Sequence, residues 1–404
     1  MTQLFKLAFR NLMRNRRRSI LSALAVSMGL ALLLLIASVL NGEMQGSINT
    51  TIRLVSGHLQ VRAASYVEAK SSLKWKDLVA NPDQLAAQIQ AIPQVNVVTP
   101  RLFASGIVSV GDRSIGVQLI GIDPLSDANA PFIQGLTSGN FLTPDDREGI
   151  LMGQPLADNL KVKVGDPVNL LANTSNGDVI EQAFFIRGIY STHTPVYDRS
   201  SIFMPLAKAQ ALTQTENHAS ALFILLKDVN QSAAVATAIK GPGYKILTWQ
   251  DMNELVTQTE DLANAYMFII YLIVLAVTAT VIVNTLIMAV FERTREIGIL
   301  AAIGMKGRRI MALFLAEASL LAVAGIAFGL LLGWLICLYF GKFGIPIGNV
   351  GTTGMLLGDR IYSILKAGDA VNLTIIALIV TLVASLYPAI LAARLEPIEA
   401  LHGK

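Results

Sequence analysis

Apolar positions along the chain gather into four long blocks. Ser19 to Gly42, Ala263 to Phe291 and Val371 to Ala393 contain no charged side chain, and Ile310 to Phe340 contains one, Glu317. A membrane core about 30 Å thick is crossed by roughly 20 apolar residues of helix, so each block predicts a span. Residues 43–262 instead alternate short apolar runs with polar punctuation. Ile107–Val110, Gly111-Asp112 and Ser114–Ile122 read as a β-hairpin, and Ala183–Tyr190 and Ala221–Leu226 have strand length. Asp83–Ile92, entered through Asn81-Pro82, and Leu206–Leu212 read as helices. The expected fold is an α-helical membrane protein with four transmembrane helices. An α+β extracytoplasmic domain, of one or two subdomains, is inserted between helices 1 and 2.

Basic residues orient the spans. Lys6, Arg10, Arg14, Arg16, Arg17 and Arg18 precede the first block, Arg293, Arg295, Lys306, Arg308 and Arg309 separate the second from the third, and Arg394 follows the fourth. Only Lys342, Arg360 and Lys366 lie between the third and fourth. The positive-inside rule then puts both termini and the 292–309 loop in the cytoplasm. The first block is longer than the core of a signal peptide and no A-x-A site follows, so an uncleaved anchor is expected, ending where Asn41-Gly42 leads into Glu43. Leu4, Leu7, Ala8, Leu12 and Met13 oppose Lys6, Arg10, Arg14 and Arg17, as in a basic helix lying on the inner leaflet. The expected divisions are a cytoplasmic helix at 1–18, spans at 19–42, 263–291, 310–340 and 371–393, a periplasmic domain at 43–262, cytoplasmic 292–309, periplasmic 341–370 and a tail at 394–404.

Composition narrows the chemistry. Of 404 residues, 53% are hydrophobic and 15% charged, against about 25% charged in soluble domains. A net charge of +4 advertises no nucleic-acid surface. Cys337, the single cysteine, lies within a span, so the inserted domain has neither disulfide nor thiolate metal site, as suits a bacterial inner-membrane protein. His58, His193 and His218 lack H-E-x-x-H spacing, and no G-x-S-x-G or G-x-x-x-x-G-K-[ST] occurs. Asp145, Asp146 and Glu148, framed by Pro144 and Gly149, read as a turn. No catalytic residue, metal or cofactor is expected in this chain. If ATP drives the protein, another chain binds it.

The loop from Glu292 to Arg309 reads as a short helix outside the membrane, charged at its start and apolar at Ile297, Leu300 and Ile303. Glu292 with Arg295, or Arg293 with Glu296, is placed to pair locally, worth a few tenths of a kcal/mol. Its apolar side chains either rest on lipid or fill a partner's groove. Gly325, Gly329 and Gly333 recur every fourth residue, which permits close approach of another helix. Glu317 is an intramembrane carboxylate and should be partnered; about two turns from Arg309, it either snorkels to the inner face or bonds the 292–309 helix, and a structural role is favoured over proton transport. Pro388 lacks an N–H and is expected to kink the fourth span near its inner end.

The run Glu292-Arg293-x-x-Glu296-Ile297-Gly298-x-x-x-Ala302-x-Gly304 resembles the FtsX-like permease family of ABC transporters, which includes the macrolide exporter and the lipoprotein-releasing permeases. Further similarities follow in the same order: Arg10-Asn11 through Arg18 before the anchor, then Gly153, Leu156, Ala157, Leu160, Val164, Gly165 and Asp166. Tyr387-Pro388-Ala389, Ala392-Ala393-Arg394 and Pro397-Ile398-Glu399-Ala400-Leu401 resemble the family's ending. The resemblance implies a second permease, either another copy or a sister chain, above two ABC ATPase subunits that hold ATP and Mg²⁺. It implies a coupling helix formed by Glu292, Arg293, Arg295, Glu296, Ile297, Gly298, Leu300, Ile303 and Gly304. It also implies an outer porter-like domain, moved by ATPase closure, that works on substrate already outside. The lipoprotein-releasing branch has an acyl-chain cleft at the outer ends of spans one and two, where this chain carries Leu40, Met44 and Ile48 with Tyr266, Phe268 and Ile269. Asn41-Gly42 and Ser56–Val61 resemble that branch more than the macrolide exporter. The expected function is extraction of lipoproteins from the outer leaflet toward a periplasmic carrier. The alternatives are an exporter of peptides or antibiotics with a periplasmic adaptor and a mechanical regulator of a cell-wall hydrolase.

Overall fold

The computed structural model describes residues 2–14, 16–67, 72–239, 243–347 and 358–395. The closing motif at Pro397–Leu401 lies outside them. The chain divides into two compact units. One comprises Met1–Met44, Glu260–Ile345 and Ile361–Lys404, the other Gln45–Thr259 and Pro346–Arg360.

Two helices open the chain, α1 (Thr2–Arg14) and α2 (Arg16–Thr51). The stop expected at Asn41-Gly42 does not occur, because both residues serve packing rather than termination. Asn41 Nδ2 donates to Asp369 Oδ2 at 2.6 Å. Gly42 lies so close to the Tyr362 carbonyl that a Cβ there would sit 1.7 Å from its oxygen. Glycine is used at this point for its missing side chain, not its backbone freedom.

The inserted domain contains strands β1 (Leu59–Ala63), β2 (Val79–Ala80), β3 (Val95–Val110), β4 (Arg113–Ile122), β5 (Leu136–Gly139) and β6 (Gly149–Gly153). It continues with β7 (Pro167–Asn173), β8 (Val179–Tyr190), β9 (Ser201–Pro205), β10 (His218–Ala219), β11 (Ala221–Leu226) and β12 (Tyr244–Thr248). Its helices are α3 (Pro82–Gln90), α4 (Ala130–Gln134), α5 (Gln154–Leu160), α6 (Pro195–Ser200), α7 (Leu206–Thr213), α8 (Ser232–Ala238) and α9 (Trp249–Met252). The main sheet runs β12-β1-β11-β3-β4-β9-β6-β8-β5, and β7 pairs with both β3 and β8. The pairings β3–β4, β4–β9, β9–β6, β6–β8, β8–β7 and β7–β3 therefore close into a ring. Closure removes strand edges and turns alternate residues inward, so Val108, Leu119, Ile150, Leu170, Phe184 and Ile202 fill the barrel. On the other side, β1 and β11 pack Leu59, Val61, Leu222 and Ile224 against Ile89 of α3 and Val235 of α8. One strand serves both halves: residues 95–101 of β3 pair with β11, and 102–110 pair with β4 across a turn at Gly111, where φ is +55°.

The remaining helices are α10 (Glu254–Glu292), α11 (Thr294–Ala302), α12 (Gly307–Phe343) and α13 (Ala367–Ala393). Helices α2, α10, α12 and α13 are long and apolar enough to cross a membrane. The glycine row of α12 faces α2. A Cβ at Gly325 or Gly329 would lie 2.8 Å from the carbonyl oxygen of Ala23 or Ser27, and one at Gly333 would lie 2.8 Å from Leu34. Small residues let the two backbones meet where larger ones would hold them apart. Helix α10 offers Met267, Tyr271, Val274, Leu275, Ile282 and Leu286 to the same core, a stripe at helical spacing. Helix α13 contributes Leu373 and Ala377 and continues through Pro388 to Ala393.

Candidate functional site

The loop helix α11 is separated from α10 at Arg293, whose φ of −111° and ψ of 14° interrupt the helical path. Glu292 therefore closes one helix while Arg295 and Glu296 open the next, and the local pairs expected from sequence are not made. Glu292, Arg293 and Glu296 instead reach distant elements. Glu292 accepts from Arg18 at 2.7 Å, and Glu296 accepts from Arg14. At its far end α11 stops on Gly304, where φ is +95°. Met305 N donates to Leu300 O and Gly304 N to Ala301 O, both at 3.0 Å, which satisfies carbonyls the ended helix leaves bare.

The two faces of α11 differ. Ile297, 4% exposed, packs with Ala289, Val290, Ile310, Phe314, Ala389 and Ala392. Gly298 is buried beside it and Leu300 is half-buried. Arg295, Ile299 (44%) and Ile303 (79%), one helical turn apart, are open. The sequence placed Ile297 on the outward face; it belongs to the anchor. An Ile297→Asp change would bury a charge and disrupt the loop, so it does not probe docking.

Beneath the loop lies a closed polar node. Glu317, 2% exposed on α12, accepts from Arg293 Nη1 at 3.0 and 3.4 Å and from Asn11 Nδ2 at 2.7 Å. Arg293 Nη2 donates in turn to the Asn11 carbonyl at 3.1 Å. Three chain segments thus share one buried ion pair. Removing one partner of such a pair leaves an uncompensated charge, at a cost of about 3–5 kcal/mol. Ala8 of α1 packs with Leu313 and Ala316 nearby on α12. Asn11, Arg14 and Arg18 were not singled out by sequence reasoning for this node. All three, however, lie within the run from Arg10 to Arg18 quoted as the family's start.

The six residues expected at an acyl cleft lie on α2 and α10. Tyr266, Phe268 and Ile269 are exposed, because the face of α10 that enters the core carries Met267 and Tyr271 instead. Leu40 and Met44 are half-buried on α2, and Ile48 is half-buried in the segment assigned to the other unit. In the inserted domain, Arg101 is a buried cation with no carboxylate partner among the described residues. It lies 3.6 Å from the centre of the Phe223 ring and donates from Nη1 to the Leu54 carbonyl at 3.1 Å. Burial lowers its pKa to about 10. Tyr197 donates to the same carbonyl at 3.2 Å, and burial raises its pKa. Nothing in the local sequence marked Arg101 as internal. His193 is an exposed loop residue, 3.6 Å from Asp359.

Residues 19–241 match the MacB-like periplasmic core domain, and residues 268–397 match the FtsX-like permease C-terminal family. The chain belongs to the MacB-type, FtsX-like family of ABC transporter permeases. It is 26% identical to the lipoprotein-releasing system transmembrane protein LolE of Haemophilus influenzae over 403 residues, which cover 95% of this chain and 93% of that protein. It is 24% identical to LolC of Neisseria meningitidis serogroup B over 404 residues, 95% of this chain and 94% of the relative. The macrolide export ATP-binding/permease protein MacB of a Shewanella species is 21% identical over 415 residues, 98% of this chain and 60% of that protein. Family membership gives the four apolar helices and the barrel-containing domain a common setting, a membrane permease with a MacB-like periplasmic domain.

Proposed function

We propose that this permease works with a separate ABC ATPase to draw lipid-anchored proteins from the outer leaflet of the bacterial inner membrane and pass them to a periplasmic carrier. In this reading both termini and the 292–309 loop are cytoplasmic, a second permease completes the membrane assembly, and two ATPase subunits bind the ATP and Mg²⁺. The observation that carries it is the two-faced loop helix. Its Ile297 side is fastened into the helical bundle, while Arg295, Ile299 and Ile303 form an open ridge suited to a groove on a partner. A helix held rigidly on one side and bare on the other can receive a push and pass it on.

The full-length LolE and LolC similarities favour lipoprotein over the other cargoes. The MacB similarity, together with a family in which porter-like domains occur, keeps an adaptor-assisted exporter of peptides or antibiotics as the second reading.

Docking is tested by Ile299→Asp with Ile303→Asp. Both side chains are exposed, so the permease should melt within about 0.5 kcal/mol of the parent and fail to co-purify its ATPase. An intact complex would refute the ridge assignment. Cargo is tested by Met44→Asp and Leu40→Asp. These should leave the ATPase bound and stop release of a triacylated reporter protein from proteoliposomes; normal release would remove the cleft assignment.

A further inference from the structure

Glu317 is more deeply enclosed than a carboxylate that merely decorates a span. It sits ten residues into α12, which at 1.5 Å per residue is about 15 Å along the helix. Its partners come from two other segments, Arg293 at the α10–α11 junction and Asn11 on α1. The Arg293 donation back to the Asn11 carbonyl makes the contacts a ring rather than a chain. Arg14 of α1 is tied again to Glu296 of α11, and Arg18 at the start of α2 to Glu292 at the end of α10. The last two ties are partly exposed and therefore weak and screened. The node is desolvated and directional, so it has one good geometry and resists shear between its members.

We propose that Glu317 is a positioning residue through which displacement of the loop helix reaches α12, and that α1 is clamped into the same node so that α1, α11 and the inner end of α12 shift as one body. This rests on the docking reading above and deepens it by naming the path of force inside the permease. The alternative is that the pair only stabilises the fold. The two differ in a specific way. A buried ion pair replaced by apolar side chains of similar size is often neutral or stabilising, so a purely structural pair is replaceable. A positioning pair is not, because apolar contacts slide where directional hydrogen bonds do not.

The test compares the parent permease–ATPase complex with Glu317→Gln and with the double variant Arg293→Met/Glu317→Met, all in proteoliposomes carrying a triacylated reporter protein. The double variant guards against misfolding, since it leaves no unpaired charge. Because Arg293 is buried in the node and is not part of the open ridge of Arg295, Ile299 and Ile303, it should assemble with the ATPase, melt near the parent and hydrolyse ATP at a comparable rate, yet release at least tenfold less reporter per ATP. Glu317→Gln, where it folds, should show the same split. Release per ATP unchanged in the double variant would overturn the proposal and leave docking standing. If the parent complex binds no ATPase or releases no reporter, the functional reading itself fails and this inference falls with it.

Discussion

Helices α12 and α10 are both long enough to span a membrane, yet they are built for different surroundings. Along α12, Gly325, Gly329 and Gly333 admit the backbone of α2 to van der Waals distance. Along α10, one stripe enters the core while Leu272, Ile273, Val277 and Phe268 stay uncovered. A surface of that kind belongs against lipid or another helix, because isolated apolar patches of such size mark interaction sites. The contrast separates a seam, where the fold tolerates nothing larger than glycine, from a face whose side chains contribute little within one copy.

The sharpest way to break this comparison is Gly329→Val. The added side chain meets the Ser27 backbone, which cannot withdraw as a flexible side chain would. A loss of about 3 kcal/mol is expected from overpacking, read as a lower melting temperature in detergent. Gly42→Ala comes next, at about 2 kcal/mol, because a single methyl must displace the Tyr362 carbonyl. Leu272→Ala on α10 should change the melting of a single copy by less than about 0.5 kcal/mol. A loss as large as that at Gly329 would mean that α10 is covered within one chain after all.

The smallest effect lies in the inserted domain and serves as a control on the bundle. His58 Nδ1 accepts from Leu226 N at 2.8 Å, and burial lowers its pKa. The folded form therefore binds fewer protons than the unfolded form. Stability from this residue is full above the ordinary histidine pKa of about 6.5 and declines as pH falls below it. The domain should melt slightly earlier at pH 5 than at pH 7.5, and His58→Gln should reduce that difference while leaving the glycine seam's behaviour unchanged.

What was legible in the sequence follows from the range of the forces involved. The spans rest on uninterrupted apolar runs, and the β3–β4 hairpin rests on Gly111-Asp112; both are local signals. A bond from Glu317 to the loop helix was legible as one of two choices, but the Asn11 arm of the node was not, because Asn11 and Glu317 are 306 positions apart and neither residue type specifies a partner. The helix stop read at Asn41-Gly42 failed for a similar reason. Asn and Gly are good helix terminators in isolation, but here Asp369 and the Tyr362 carbonyl supply tertiary uses for them. Ile297 was misplaced because helical spacing identifies an apolar side without saying whether the fold or a partner covers it. Barrel closure was also invisible, since the β7–β3 pairing depends on strand order rather than on any pattern within a strand.

The first and last strands of the inserted domain, β1 and β12, are antiparallel neighbours, with Leu59 opposite Thr248 and Trp249 N donating to the His58 carbonyl at 3.1 Å. The chain therefore enters and leaves the domain at the same end of one strand pair. Pulling those two connections apart would load that ladder like a zipper, one rung at a time, the weakest direction in which a sheet can be strained. Moving them together loads no rung at all. A strand pair entered and left at one end tolerates its two ends moving together far better than moving apart, and the rung at His58 would yield first.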